Sequence, residues 1–299
     1  MLLSTLIISA GISGQYSMDL LPRISSDNVI SERVGYTNIE IKYGSPKVRG
    51  RVIWGNLEEY DQIWRAGANR ATTISFSEDV RIHDQVLEKG IYAFFVIPRE
   101  NDQWTVIFNK EHDQWGAFNY NQDLDAIRID VPKETVHHTE DLTYDIVGEG
   151  FEKAHISLLW EKIKLHIVID VQYLDILESN LYSKLENLED HIKWVFYLQA
   201  AEFLIDENKA IDKAGQWLHK SLELYEENNG WSGQFYPKPY VYGHLNWTLS
   251  RYYAKIGDYR SAYSFAQKMK NIEGDYVFYD QEKGPEKIDE NMESWKSKF

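Results

Sequence analysis

The apolar residues of this chain change their period once, near residue 172, and that switch constrains the fold more than any other feature. From residue 38 to 171 the period is two. Ile39, Ile41 and Tyr43 alternate with Glu40 and Lys42, and Ile127, Ile129 and Val131 alternate with Arg128 and Asp130. Trp104, Val106 and Phe108 behave the same way, as do Leu165, Ile167, Ile169 and Val171. Such alternation describes strands with one buried face and one wet face. Stretches 72–76 and 91–97 add two more strands; the second is nearly all apolar, as suits a central strand covered on both sides. Turn signals fall between the runs, at Lys89-Gly90, at 98–102 and at Gly148-Glu149-Gly150. Eight or more short strands with no room for crossover helices predict an antiparallel β-sandwich or barrel, not a parallel α/β sheet.

Beyond Tyr173 the spacing becomes helical. Trp194, Leu198, Ala201 and Leu204-Ile205 form one apolar stripe, and Ala210, Ala214, Trp217-Leu218 and Leu222 form another. The sequence therefore predicts an α+β chain of two domains: an antiparallel β-domain over 22–171 and an all-α domain over 174–272. A long aromatic loop is expected over 226–244, and a polar, frayed tail over 273–299. A length of 299 residues accommodates two such domains.

Charge and cysteine content narrow the function. The formal net charge is −15, which argues against nucleic acid and anionic membrane surfaces as partners. With no cysteine, disulfides, thiol catalysis and thiolate metal sites are excluded. The first twelve residues are apolar and uncharged, too short to span a bilayer but suited to the core of a secretory signal. Gly11-Ile12-Ser13 supplies a small-x-small pattern, so residues 1–15 are expected to be a signal peptide and the protein periplasmic or secreted. No Lys or Arg precedes the apolar run, a departure from the usual signal. No later stretch has the length and apolarity of a membrane span.

Two resemblances follow from motifs. Residues 246–269 carry a Gly257-Asp258-Tyr259 turn between helices, with small Ala262 and Ala266 on the second, and this region resembles the tetratricopeptide repeat. Residues 194–224 fit more loosely, and Ala214 and Ala262 are not at the standard repeat spacing. In the front half, Ser45-Pro46-Lys47-Val48-Arg49-Gly50-Arg51, Ile53-Trp54-Gly55, and Trp64-Arg65-Ala66-Gly67-Ala68-Asn69 followed by Ala71-Thr72-Thr73 form one set of motifs. Gly90-Ile91-Tyr92, Phe108-Asn109, Trp115-Gly116, Tyr120 and Trp160-Glu161 form another. Together they resemble the exported bacterial family called domain of unknown function 2911 over residues 22–171. The resemblance implies a β-domain outside the cytoplasm, often followed by helical repeats, and implies no activity.

Candidate ligand-binding residues come from residue type. Lys42, Lys47, Arg49, Arg51, Arg65 and Arg70 crowd the segment 41–70 with Trp54, Tyr60 and Trp64, against Glu58, Glu59 and Asp61. Arginine forks bind carboxylate, sulfate or phosphate, and aromatic faces stack on sugars. Trp115, after a polar run and before Gly116, is expected on a loop, whereas Trp104 is expected in the core. The set Arg49, Arg51, Trp54, Trp64, Arg65, Asn69, Arg70 and Trp115 thus suggests an anionic or glycan ligand. The plainer alternative is that Arg65 and Arg70 pair with nearby carboxylates while the tryptophans fill the core. His137, His138, His155 and His166, with Glu140 or Glu161, lack a recognised metal spacing, and no cofactor is expected. No nucleophile elbow, P-loop or dinucleotide fingerprint occurs. The expected function is extracytoplasmic, non-catalytic binding or protein interaction through the helices, with a glycan or envelope hydrolase as the alternative.

Overall fold

The computed structural model describes residues 23–228, 238–271 and 285–299. The proposed signal segment and the middle of the aromatic loop lie outside these residues. The chain divides into two compact units, Met1–Tyr173 and Leu174–Phe299.

The first unit is the antiparallel β-domain. Its strands are β1 (Ser26–Val34), β2 (Thr37–Ser45), β3 (Ala68–Phe76), β4 (Val80–Ile82), β5 (Gln85–Leu87), β6 (Gly90–Ile97), β7 (Gln103–Asn109), β8 (Asp125–Glu149) and β9 (Lys153–Asp170). They are hydrogen-bonded in the order β1-β2-β3-β6-β7-β8-β9-β4-β5. β6 is central and carries almost no polar residue because both of its faces are covered. Phe94 packs edge-on against Phe108 on one face. Ala93, Phe95 and Ile97 join Ala71, Ile107, Ile63 and Tyr120 on the other.

The sheet curls because the β8–β9 hairpin doubles over. Its register shifts between Thr135 and Thr143, and opposite this corner Glu161 takes a left-handed φ of 55°. Val171 donates its N–H to the Glu152 carbonyl at 2.9 Å, so the two ends of β9 lie side by side. At the same corner the continuation of β2 joins β8: Val48 N–H donates to Glu140 O and Leu142 N–H to Pro46 O. Gly44 is required where β2 and β3 shift register, since a Cβ there would overlap the Ala68 carbonyl. β1, β4, β5 and the far half of β8 extend beyond the strands read from alternation. The first is a largely exposed edge, the next two have three residues each, and the last carries exposed polar residues.

The second unit is helical: α1 (Tyr173–Glu186), α2 (Asp190–Asp206), α3 (Ile211–Glu227), α4 (Lys238–Lys255), α5 (Tyr259–Lys270) and α6 (Pro285–Lys296). Gly257, at φ 82°, ends the α4 turn, and the Asp258 carboxylate caps α5 by accepting the Ser261 N–H. Ala262 and Ala266 are fully buried. Lys213 of α3 pairs with Glu178 of α1 at 2.8 Å. Two expectations are corrected. Part of the loop expected over 226–244 is helical, since α3 runs to Glu227 and α4 starts at Lys238. Part of the expected polar tail is α6, which buries Ile288, Met292 and Trp295 against Trp247, Ala262, Ala266 and Met269. Spacings of four and three residues put those three apolar groups on one helix face, where the surrounding charges mask them in the sequence. Among the described residues no helix is long and apolar enough to cross a membrane.

Candidate functional site

Five of the eight candidate residues sit on the two loop segments that join β2 to β3. β3 pairs with β6 only as far as Ala93, and Trp64 then takes its place beside Val96 through two hydrogen bonds of 2.8 and 2.9 Å. The next residue but one, Ala66, is wholly buried at φ 51°. Its carbonyl accepts the Tyr144 hydroxyl at 2.8 Å and the Thr72 hydroxyl at 3.0 Å. Burial pushes the Tyr144 phenol well up, so it stays a donor. These two bonds fix the backbone at Ala66, the residue after Arg65.

The aromatic residues of this region form one cluster. Trp54 stands edge-on to Trp104 at 4.7 Å, to Trp64 at 5.4 Å and to Trp160 at 5.6 Å, while Trp64 stacks on Trp160 at 5.7 Å. Trp104 donates its indole N–H to the Arg99 carbonyl. The indole Nε1 atoms of Trp54, Trp64 and Trp160, and the Nε of Arg65, are buried without a hydrogen-bond partner. Glu58 bridges Trp54 in parallel fashion across a tight turn. Burial pushes the Glu58 carboxyl from the ordinary 4.5 up to about 7, against the pull of the Arg65 and Arg51 guanidinium groups. Arg51 bonds back to the Val48 and Lys47 carbonyls, and exposed Arg49 donates its backbone N–H to Glu140.

Of the other three candidates, Arg70 lines a groove of about 370 Å³ on the outer face of β1–β3, while Asn69 and Trp115 are not among its walls and only touch residues that are. Its walls include Asn28, Glu40, Lys42, Arg70, Thr73, Ser75, His112 and Asp113. The charges there are paired: Arg23 with Asp27 at 2.8 Å, Lys42 with Glu40 at 2.7 Å, and Arg70 with Asp113. Asn69 donates to Ser25 O and to Asp27 Oδ1. Trp115 is 44% exposed, with its backbone bridged to Arg70 and its ring 5.7 Å from the Arg23 guanidinium. Arg65 and Arg70 thus face different surroundings: the tryptophan cluster for one, the groove for the other. Glu58 appeared in the sequence only as a counter-charge, and its burial follows from a turn that residue type does not announce.

His155 and His166, eleven residues apart on β9, do meet. Their rings stack at 5.1 Å and share a hydrogen bond of 3.1 Å, because the strand folds back. Their carboxylate partner is Glu149, 2.8 Å from His155, and not Glu140 or Glu161; Ser157 Oγ lies 3.4 Å from His166. Among the described residues no group of three His, Asp or Glu is placed to hold a metal ion. Desolvation, then the His155 and Lys164 charges, push the His166 imidazole down. Replacing His155 with alanine removes one of these charges and admits water, so the His166 pKa should rise toward its ordinary value, as read from ring-proton shifts in an NMR titration. An unchanged midpoint would contradict the stacked pair.

Residues 25–169 match the family model described as Protein of unknown function (DUF2911). The match covers the β-domain and stops short of α1. No curated protein and no solved structure matches the chain.

Proposed function

We propose that this chain is an exported, non-catalytic binding protein whose β-domain takes a glycan-like ligand in the groove over β1–β3. The observation that carries this reading is the pairing of an open groove, walled by hydrogen-bonding side chains, with a half-exposed Trp115 beside two of its walls, Arg70 and Arg23. Sugars are bound in this way, by polar groups at their edges and an aromatic ring against one face. Export rests on the apolar run at residues 1–12. The tetratricopeptide-like turn and small residues of α4 and α5 support a protein-partner role for the helical unit. The second reading, a hydrolase of glycan or envelope material, is favoured by Glu58, because a carboxyl near 7 is suited to general acid catalysis.

Calorimetry against a panel of oligosaccharides, with reducing-end release assayed on the same panel, tests both. Binding without turnover is expected. Trp115→Ala should weaken binding at least about tenfold, the loss of a stacking contact, while leaving stability within about 0.5 kcal/mol. Binding unaffected by Trp115→Ala, or no binding at all, overturns the groove reading. Turnover abolished by Glu58→Gln would favour the hydrolase.

A further inference from the structure

We infer that the tryptophan cluster and Arg65 form a second ligand site, distinct from the groove, that takes the oxyanion group of a small molecule: a carboxylate, sulfate or phosphate. The region holds donors that lack acceptors. Indole nitrogen can only donate, and so can guanidinium nitrogen. Trp64 and Trp160 are 3% and 0% exposed, yet neither indole N–H has an acceptor, and the same holds for Trp54 and for Nε of Arg65. A buried donor left unbonded forfeits about 1–3 kcal/mol. Three of these donors belong to indoles in ring contact, and Arg65 follows Trp64 in the chain and acts on Glu58; close packing alone does not call for them, since Trp104, against Trp54, has its Arg99 carbonyl.

The chemistry of the neighbours selects the ligand. Arg65 and Arg51 are the charges beside Glu58, so the cluster repels cations. A neutral hydroxyl would bring a donor of its own into a place already rich in donors. An acceptor-only, negatively charged group complements donors of this kind, and a guanidinium fork is the standard partner for it. A Glu58 carboxyl that keeps its proton near neutrality adds a donor instead of a competing charge. Trp54 and Glu58 are partly exposed, which gives the cluster an opening to solvent.

The test reads the indoles directly. With ¹⁵N-labelled tryptophan, the Nε1–H resonances of Trp54, Trp64 and Trp160 should shift saturably on addition of sodium acetate, sulfate or phosphate. The Trp104 resonance, already bonded to Arg99, should not move. The titration is run in a constant background of about 0.1 M sodium chloride, where attraction between exposed charges is largely screened. The three salts, compared, show which oxyanion geometry the site prefers. Arg65→Gln should weaken the response at least about tenfold. Saturable shifts confined to the three indoles and lost with Arg65 support the site. Resonances that stay fixed in all three salts overturn it, as does a response that Arg65→Gln leaves intact. Because the first readout uses the unaltered protein, the test stands even if a variant fails to fold.

Discussion

Replacing Trp160 with alanine is expected to destabilise the β-domain by about 3–5 kcal/mol, the range for deleting a large buried aromatic side chain. Trp160 is wholly buried, stacks on Trp64 and takes the edge of Trp54. It projects from β9 just before the corner at Glu161, whereas Trp104 comes from β7 and Trp64 from the β2–β3 connection. Three distant parts of the chain therefore share one contact, and no single neighbour can move in to fill the gap. For a domain of this size each kcal/mol lowers the melting temperature by roughly 2–4 °C, so a drop on the order of 10 °C should be seen. Trp160→Phe separates packing from polarity. It keeps a ring against Trp64 and removes an N–H that has no partner, and losing an unpaired donor is close to neutral. Phenylalanine should thus retain most of the stability that alanine loses. Urea denaturation of both variants decides the matter, and an alanine variant within about 1 kcal/mol of the parent would show that the cluster does not hold the fold together.

The contrast with Trp115 shows how far the sequence could be read. Alternation located β2 and an unbroken apolar run located β6, while the apolar residues of β7 placed Trp104 in the core and the polar run after it placed Trp115 on a loop. It did not reveal the far half of β8, whose exposed polar face hides Leu142 and Tyr144. Nor did it reveal α6, where three apolar side chains stand among charges. At the candidate sites the residue types were visible, but the partners were not. Arg70 finds Asp113 across 43 residues, and Ala66 is held by Tyr144 across 78. His155 reaches His166 only because one strand folds back. Local patterning carries period and turn chemistry; which carboxylate is buried beside which arginine depends on loops that cross the end of the sheet.

The stability of the protein should fall as pH rises from about 5 to about 8, and Glu58→Gln should remove most of that fall. In the unfolded chain Glu58 ionises at its ordinary 4.5, while in the folded chain burial holds the proton up to about 7. Below 4.5 both states are protonated and the folded state keeps its full stability. Between those values the unfolded chain has released the proton and the folded chain has not, so each step up in pH favours unfolding. Above about 7 the buried carboxylate is ionised and the loss is complete. The difference between ionisation at 4.5 and at about 7 corresponds to roughly 3 kcal/mol at most, and residual solvent contact at this partly exposed residue reduces the observed figure. His166 acts in the opposite sense, since a depressed imidazole pKa makes stability fall as pH drops through the ordinary histidine range. Subtracting the variant from the parent at each pH cancels His166 and every other group that does not touch Glu58. Denaturant curves at about pH 5, 6, 7 and 8 should give a difference that starts small and grows in favour of the glutamine variant. A difference that stays flat across that window would mean that Glu58 ionises as in water and that the turn at Trp54 does not bury it.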